Sequence, residues 1–315
     1  MNFSKFLCFQ SAIALVSCFP TGAVIVAGTS GLGVNNNTQL GLDSYLTGAS
    51  LDAFPYWDNL VRVADASGVY LGYNVSTERG WVLSANHVTT PTQITVAGGT
   101  YTVTGTGTQV GSTDLKLYEI GGGVSDPALP SLPTVPLAAI AATAAETALM
   151  FGRGFTSSSS APYPWVTPGI SDANGMRWGS NTVETTSLVN LGTVATPNFQ
   201  PYVVVDFDGV GDPGVTAFDA QASLGDSGGG LFVLRGGTWQ LAGIAHFVDD
   251  GPDFLEISPT GDNVVNPAQT GDFSAYSDVA SKMGSIISTT GTLVPEPSSL
   301  MMLLCSLTLL LRRRR

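Results

Sequence analysis

The fold turns on LVRVADASGVYLGYNVSTERGWVLSANH, Leu60 to His87. Leu60 to Ala64 is apolar apart from Arg62, Asp65 to Gly68 supplies turn formers, and Val69 to Tyr73 is apolar again. A second turn near Ser76 to Gly80 leads into Trp81 to Ser84. Short β-branched and aromatic runs separated by such turns predict a β-meander whose strands pair as sequence neighbours. Further on, Ile94 to Ala97 and Thr100 to Thr104 flank Gly98-Gly99 in a hairpin pattern, and Leu115 to Ile120 gives one more strand.

A proline-rich, nearly uncharged passage from Asp126 to Pro136 separates this region from a second strand-rich half and reads as an interdomain linker. The second half holds Ala148 to Phe151, Tyr202 to Phe207, Leu231 to Leu234 and Trp239 to Phe247, each flanked by Gly or Pro. Phe273 to Ile287 is the one stretch with a helical pattern. Only 11% of the 315 residues are charged, a composition suited to many short strands rather than long surface helices. The class predicted is all-β.

Both ends carry sorting features. Lys5, the apolar stretch Phe6 to Val16 and the small residues Gly22 and Ala23 have the layout of a secretory signal peptide, residues 1–23. Leu15-Val16-Ser17-Cys18 also resembles a lipoprotein cleavage box, although ordinary signal cleavage is the simpler reading. At the other end, Val294-Pro295-Glu296-Pro297-Ser298-Ser299 precedes an apolar run from Leu300 to Leu311 and then Arg312 to Arg315. This tail, residues 291–315, resembles a PEP-CTERM sorting signal. As a helix, this twelve-residue run reaches about 18 Å, short of a stable membrane span. The resemblance implies removal by an exosortase-type membrane enzyme after transient membrane contact, with the arginines held on the cytoplasmic side. The body is then extracellular or envelope-associated.

Cys8, Cys18 and Cys305 all lie in these end segments, so the exported body of roughly 265 residues has no disulfide, and at that size it needs none. Setting aside Lys5, Glu296 and the four terminal arginines leaves seven Lys and Arg against twenty-three Asp and Glu, a net of −16. A body so acidic repels phosphate backbones and anionic lipid, which excludes nucleic acid as a partner.

Three motifs carry chemistry. In Gly80-Trp81-Val82-Leu83-Ser84-Ala85-Asn86-His87 an apolar strand runs into a turn that presents one of the body's two histidines. A general base must be rigidly aimed, and a buried strand supplies the platform. Asp114 stands in Ser112-Thr113-Asp114-Leu115-Lys116-Leu117 at the start of a strand, where a buried carboxylate can orient an imidazole; Asp126 is the alternative. Gly225-Asp226-Ser227-Gly228-Gly229 surrounds a serine with glycines, which let the chain turn sharply and aim the amides of Gly225 and Ser227 at one point, an oxyanion hole.

Taken in this order, the motifs resemble the trypsin/chymotrypsin family. The resemblance implies two antiparallel β-barrels with the active site in the cleft between them, plus a short C-terminal helix that Ala275-Tyr276-Ser277-Asp278-Val279 would introduce. It places an N-terminal barrel with its leader segment at 24–130 and a C-terminal barrel with the terminal helix at 131–290. It implies a serine endopeptidase with His87, Asp114 and Ser227 as the catalytic set, a protein or peptide substrate and no required cofactor. The family's usual proline after the second glycine is Gly230 here, which predicts a looser turn. The same residues satisfy Gly-x-Ser-x-Gly of α/β-hydrolases, but only His246 follows Ser227 and no acid lies between them, so the order is wrong.

Further expectations come from the same resemblance. Gln221, six places before Ser227, falls at the base of the substrate pocket and offers no charge to select Lys or Arg. Gly243-Ile244-Ala245-His246-Phe247 resembles the strand that pairs with substrate and lines the pocket, with His246 where a small serine is common and Phe247 where tryptophan is common. His246 either donates to Asp114 or packs in the core. Val24-Ile25-Val26-Ala27-Gly28 resembles the family's new N-terminus, whose amino group would pair with Asp226. No Lys or Arg precedes it, so either signal peptidase exposes that end or Asp226 finds another partner. Asp206, Asp208 and Asp212, interspersed with Gly209 and Gly211, have part of the spacing of a structural calcium site; a solvated acidic turn is the alternative. A catalytically weak, protease-fold binding module of the cell envelope or matrix is the alternative to an enzyme, and the complete His, Asp and Ser set argues against it.

Overall fold

The computed structural model describes residues 24–26, 36–154, 156–157, 165–166, 175–190, 198–208, 212, 214–223, 225–248 and 272–293. The expected signal peptide, residues 1–23, and the expected sorting run from Val294 onwards lie outside the described residues. No helix among the described residues is long and apolar enough to cross a membrane.

The short apolar runs of the opening stretch become strands. In β2 (Leu60–Val63) Val61 and Val63 are buried while Arg62 faces solvent. Next come β3 (Ala66–Asn74), β4 (Arg79–Ala85), β5 (Gln93–Val96), β6 (Gly99–Gln109) and β7 (Leu115–Ile120). They close a six-stranded antiparallel barrel in the order β2-β3-β4-β7-β6-β5, sealed by Arg62 opposite Thr95. A second closed barrel uses β8 (Thr147–Gly152), β11 (Arg177–Asn190), β12 (Phe199–Asp206), β14 (Gly230–Arg235), β15 (Thr238–Val248) and β16 (Phe273–Asp278), ordered β11-β12-β16-β15-β14-β8. Outside the barrels, β1 (Ile25–Val26) pairs with β13 (Ala220–Gln221), and β9 (Thr156–Ser157) with β10 (Trp165–Val166). The chain is all-β, with two six-stranded barrels and a short C-terminal helix, α2 (Met283–Thr290).

Two local readings differ. The helical pattern expected over Phe273 to Ile287 begins as β16, whose six residues are all buried between β12 and β15. A strand covered on both faces need not alternate, so periodicity was a poor guide there. A ten-residue helix, α1 (Gln39–Gly48), precedes the first barrel and was not predicted. Its signals are weak but present: Thr38 Oγ1 accepts from the Gly41 amide at 3.1 Å, and Leu42 and Leu46, four apart, bury one face.

The barrels share a core. Phe54 stacks on Phe151 of β8 at 4.6 Å and meets Phe232 of β14 edge-on at 4.9 Å, and each such ring pair contributes about 0.5–1.5 kcal/mol beyond the area it buries. The proline-rich passage joins the barrels but is pinned to both: Val135 donates its amide to Leu71, and Pro136 accepts from the Leu241 amide.

Candidate active site

β4 pairs with β3 on one side and β7 on the other, and Val82 to Ala85 are inaccessible. This rigid strand ends in a turn where the amides of Asn86 and His87 donate to the Asp114 carbonyl and to Asp114 Oδ1, at 3.0 and 2.9 Å. Asp114, buried just ahead of β7, is thereby fixed beside the histidine. His87 Nδ1 lies 2.7 Å from Asp114 Oδ2, and His87 Nε2 lies 2.8 Å from Ser227 Oγ. An ionised carboxylate only accepts, so Nδ1 carries the proton and the serine hydroxyl donates to Nε2. Asp126, the other acid considered, instead caps a turn, accepting from Thr102 N, Thr102 Oγ1 and Gly123 N.

Ser227 is presented by a loop anchored in both barrels. Its carbonyl accepts from Ser67 N at 2.8 Å, while Gly228 N donates to Ala245 of β15 at 2.9 Å. Gly225 has φ +92°, and a Cβ there would lie 2.9 Å from Gly154 Cα, so only glycine fits. Among the described residues the amides of Gly225 and Ser227 have no acceptor, which leaves both available to an incoming oxyanion. Gly230, expected to loosen the turn, is closely packed: it opens β14 opposite Ile244, and a Cβ would come within 2.7 Å of the Phe232 ring.

His246 lies at a bulge in the β15–β16 pairing, between Ala245 and Phe247, and the bulge turns its ring toward the histidine of the first barrel. Its Nε2 is 3.5 Å from Asp114 Oδ2, its ring stacks on His87 at 5.3 Å, and its Nδ1 is 2.5 Å from the hydroxyl of Tyr202. Burial pulls the His246 pKa down, partly countered by the Asp114 carboxylate. Tyr202, inaccessible on β12, was read from the sequence only as the start of a strand. A phenol inside an apolar run needs a polar partner, and that was the one available signal.

Gln221 is fully buried in β13 opposite Ile25, and Phe247 packs edge-on against Tyr202. Asp226 points away from the catalytic groups. Its carboxylate accepts from Gly154 N and Ser223 N, both at 2.6 Å, from Ser223 Oγ at 3.0 Å and from Val24 N at 3.1 Å. Burial pushes this acid up to about 6 against the pull of its donors, none of which is a cation in the uncleaved chain. Val24 itself has φ +40°, a strained value for a β-branched residue.

Asp212 lies close enough to raise Asp206 and Asp208 electrostatically, after the larger effect of burial on each. Burial, then Asp206 and Asp212, push Asp208 up to about 6, while Asp219 behind it is pushed to about 7 chiefly by burial. Among the described residues, however, the one group of three metal-type donors converging within 4.8 Å is His87, Asp114 and His246. The three aspartates do not converge in that way.

No protein-family model matches the chain, and no curated protein matches it. Among solved structures, Rv3671c from M. tuberculosis H37Rv, as an inactive-form serine-to-alanine mutant, is similar at 13% identity and TM-score 0.45, covering 80% of this chain and 95% of that one. The Rv3671c protease in its inactive form gives 14% identity and TM-score 0.43 over the same shares. At these values the likeness carries no argument about chemistry, which rests on the geometry above.

Proposed function

We propose that this chain is an exported serine endopeptidase that cleaves protein or peptide substrates by acyl transfer. The observation that carries the reading is the continuous line from Asp114 through His87 to Ser227, with steps of 2.7 and 2.8 Å, beside two amides that have no acceptor among the described residues. In this reading Ser227 Oγ attacks the scissile carbonyl while its proton passes to His87 Nε2, and Asp114 stabilises the imidazolium. The tetrahedral oxyanion takes the Gly225 and Ser227 amides. Collapse breaks the C–N bond, the leaving amine takes the proton from His87, and water repeats the cycle on the acyl-enzyme. None of these steps calls for a metal or organic cofactor.

The proposal includes maturation at both ends. Cleavage between Ala23 and Val24 turns the Val24 amide into an ammonium already within reach of Asp226, and it removes the φ strain, a conformational cost of about 1–3 kcal/mol. Removal of residues 291–315 by an exosortase-type enzyme leaves the body outside the cell or in its envelope. The test is peptide hydrolysis by protein spanning 24–290: Ser227→Ala and His87→Ala each abolish it, and the double variant is little worse than either. Undiminished hydrolysis by folded Ser227→Ala overturns the assignment.

A further inference from the structure

A cleft of about 680 Å3 has walls that include Trp57, Asp58, Arg62, Thr90, Arg153 and Met176. Two of those walls meet at the oxyanion loop. A Cβ built on Gly225 lies 2.9 Å from Gly154 Cα, next to Arg153, and 3.7 Å from the carbonyl of Asp65, in the turn that follows Arg62. A third wall is Thr89 and Thr90, just after His87. No residue of β15 lines this space, so it is separate from the strand that resembles the substrate-pairing one.

The charge here is out of place. In so acidic a chain most cations have an obvious partner: Arg79 holds Glu119, Arg235 holds Glu146, and Arg62 bonds Asp65 at 3.0 Å and the Ala64 carbonyl at 2.6 Å. Arg153 has none. It is partly buried, its Nε is shut off from solvent without an acceptor, and among the described residues it makes no hydrogen bond or ion pair. Burial and the like charge of Arg62 pull it down to about 10. Asp58 shares the cleft but pairs with neither guanidinium. A desolvated, unpaired cation is costly to a fold, and a guanidinium donates two parallel hydrogen bonds to a carboxylate. An arriving anion removes that cost.

We propose that this cleft binds an acidic side chain of the substrate on the leaving-group side of the scissile bond, with Arg153 taking the carboxylate and Arg62 standing at the rim. The leaving-group side follows from chemistry. His87 returns its proton to the departing amine, so that half of the peptide leaves past His87 and the turn behind it. The inference rests on the peptidase reading for its orientation, but the affinity of the cleft for a carboxylate does not.

The test uses C-terminally amidated peptides with Asp, Glu, Asn or Gln at the first and second leaving-group positions; amidation separates a side-chain carboxylate from a terminal one. In the Ser227→Ala protein, calorimetry should show an acidic peptide binding at least about tenfold tighter than its amide counterpart. Arg153→Gln in the same background should erase that ratio, and Arg153→Lys should keep part of it. With the active protein, kcat/KM should show the same preference, weakening as salt rises. Equal binding of acid and amide by Ser227→Ala, a preference that survives Arg153→Gln, or a preference confined to free terminal carboxylates overturns the proposal. Acid-selective binding without hydrolysis by the active protein overturns the peptidase reading and leaves the cleft assignment standing.

Discussion

Replacing Asp114 by Asn removes one charge and leaves the shape almost unchanged, and the surrounding hydrogen bonds dictate how the amide must sit. Oδ1 accepts from the His87 backbone amide at 2.9 Å, while Oδ2 faces His87 Nδ1 at 2.7 Å and His246 Nε2 at 3.5 Å. The amide oxygen of Asn must take the Oδ1 place, because an NH2 there would face another N–H. The NH2 group therefore faces His87 Nδ1 and forces that atom to accept. The ring proton moves to Nε2 and points at Ser227 Oγ, so the general base has no lone pair to offer. Loss of the correct tautomer costs about 10⁴ in kcat, or roughly 5.5 kcal/mol of activation free energy. Single-turnover hydrolysis of a peptide ester and a peptide amide by Asp114→Asn, with circular dichroism and melting curves as fold checks, measures it. Asp126→Asn, which touches only the Thr102 and Gly123 turn, is the control and keeps the parent rate. A folded Asp114→Asn protein within tenfold of the parent refutes the reasoning, as does an equal loss in Asp126→Asn.

The remaining predictions concern the supporting groups. Asp208 and Asp219 have folded pKa values above the ordinary carboxylate value, near 6 and 7, so they stabilise the fold fully below about pH 4, and that stability is lost as pH rises through 6 to 7. In chelator the melting temperature is expected to be lower at pH 8 than at pH 5, by about 2–4 °C per kcal/mol. Calcium, proposed for the Asp206, Asp208 and Asp212 turn, should restore part of it at pH 8; identical melting in calcium and chelator removes that proposal. Once Val24 is a free amine, Asp226→Asn leaves a buried ammonium unpaired at about 3–5 kcal/mol, on the order of 10² to 10⁴ in active population. The parent should lose activity as pH rises above the α-amino range near 8, and a flat alkaline limb contradicts the pairing. Tyr202→Phe frees His246 Nδ1 and should lower kcat by roughly fivefold, about one hydrogen bond, with KM unchanged. A change in melting temperature without a change in kcat reduces His246 to a packing role.

What the sequence disclosed follows its local character. The first barrel was legible because Leu60 to Ser84 breaks into short apolar runs closed by turn formers, so its strands pair with near neighbours. β16 was not, because strands buried on both sides lose their period, and α1 was missed because its capping threonine and two leucines are spread thinly among glycines. His87, Asp114 and Ser227 each lie in a local motif, and the structure brings them to hydrogen-bonding distance. Tyr202 and Arg153 carry no such motif. Their roles arise from long-range placement, a bulge at His246 and a loop following β8, which no window of sequence contains.

The central claim, that Ser227 is a nucleophile activated by His87, is tested most directly by a serine-directed fluorophosphonate. The mature protein should take up one equivalent, mass spectrometry should place the adduct on Ser227, and His87→Ala should abolish labelling while the fold survives. No adduct on the folded parent protein, or an adduct that persists in folded Ser227→Ala, contradicts the account.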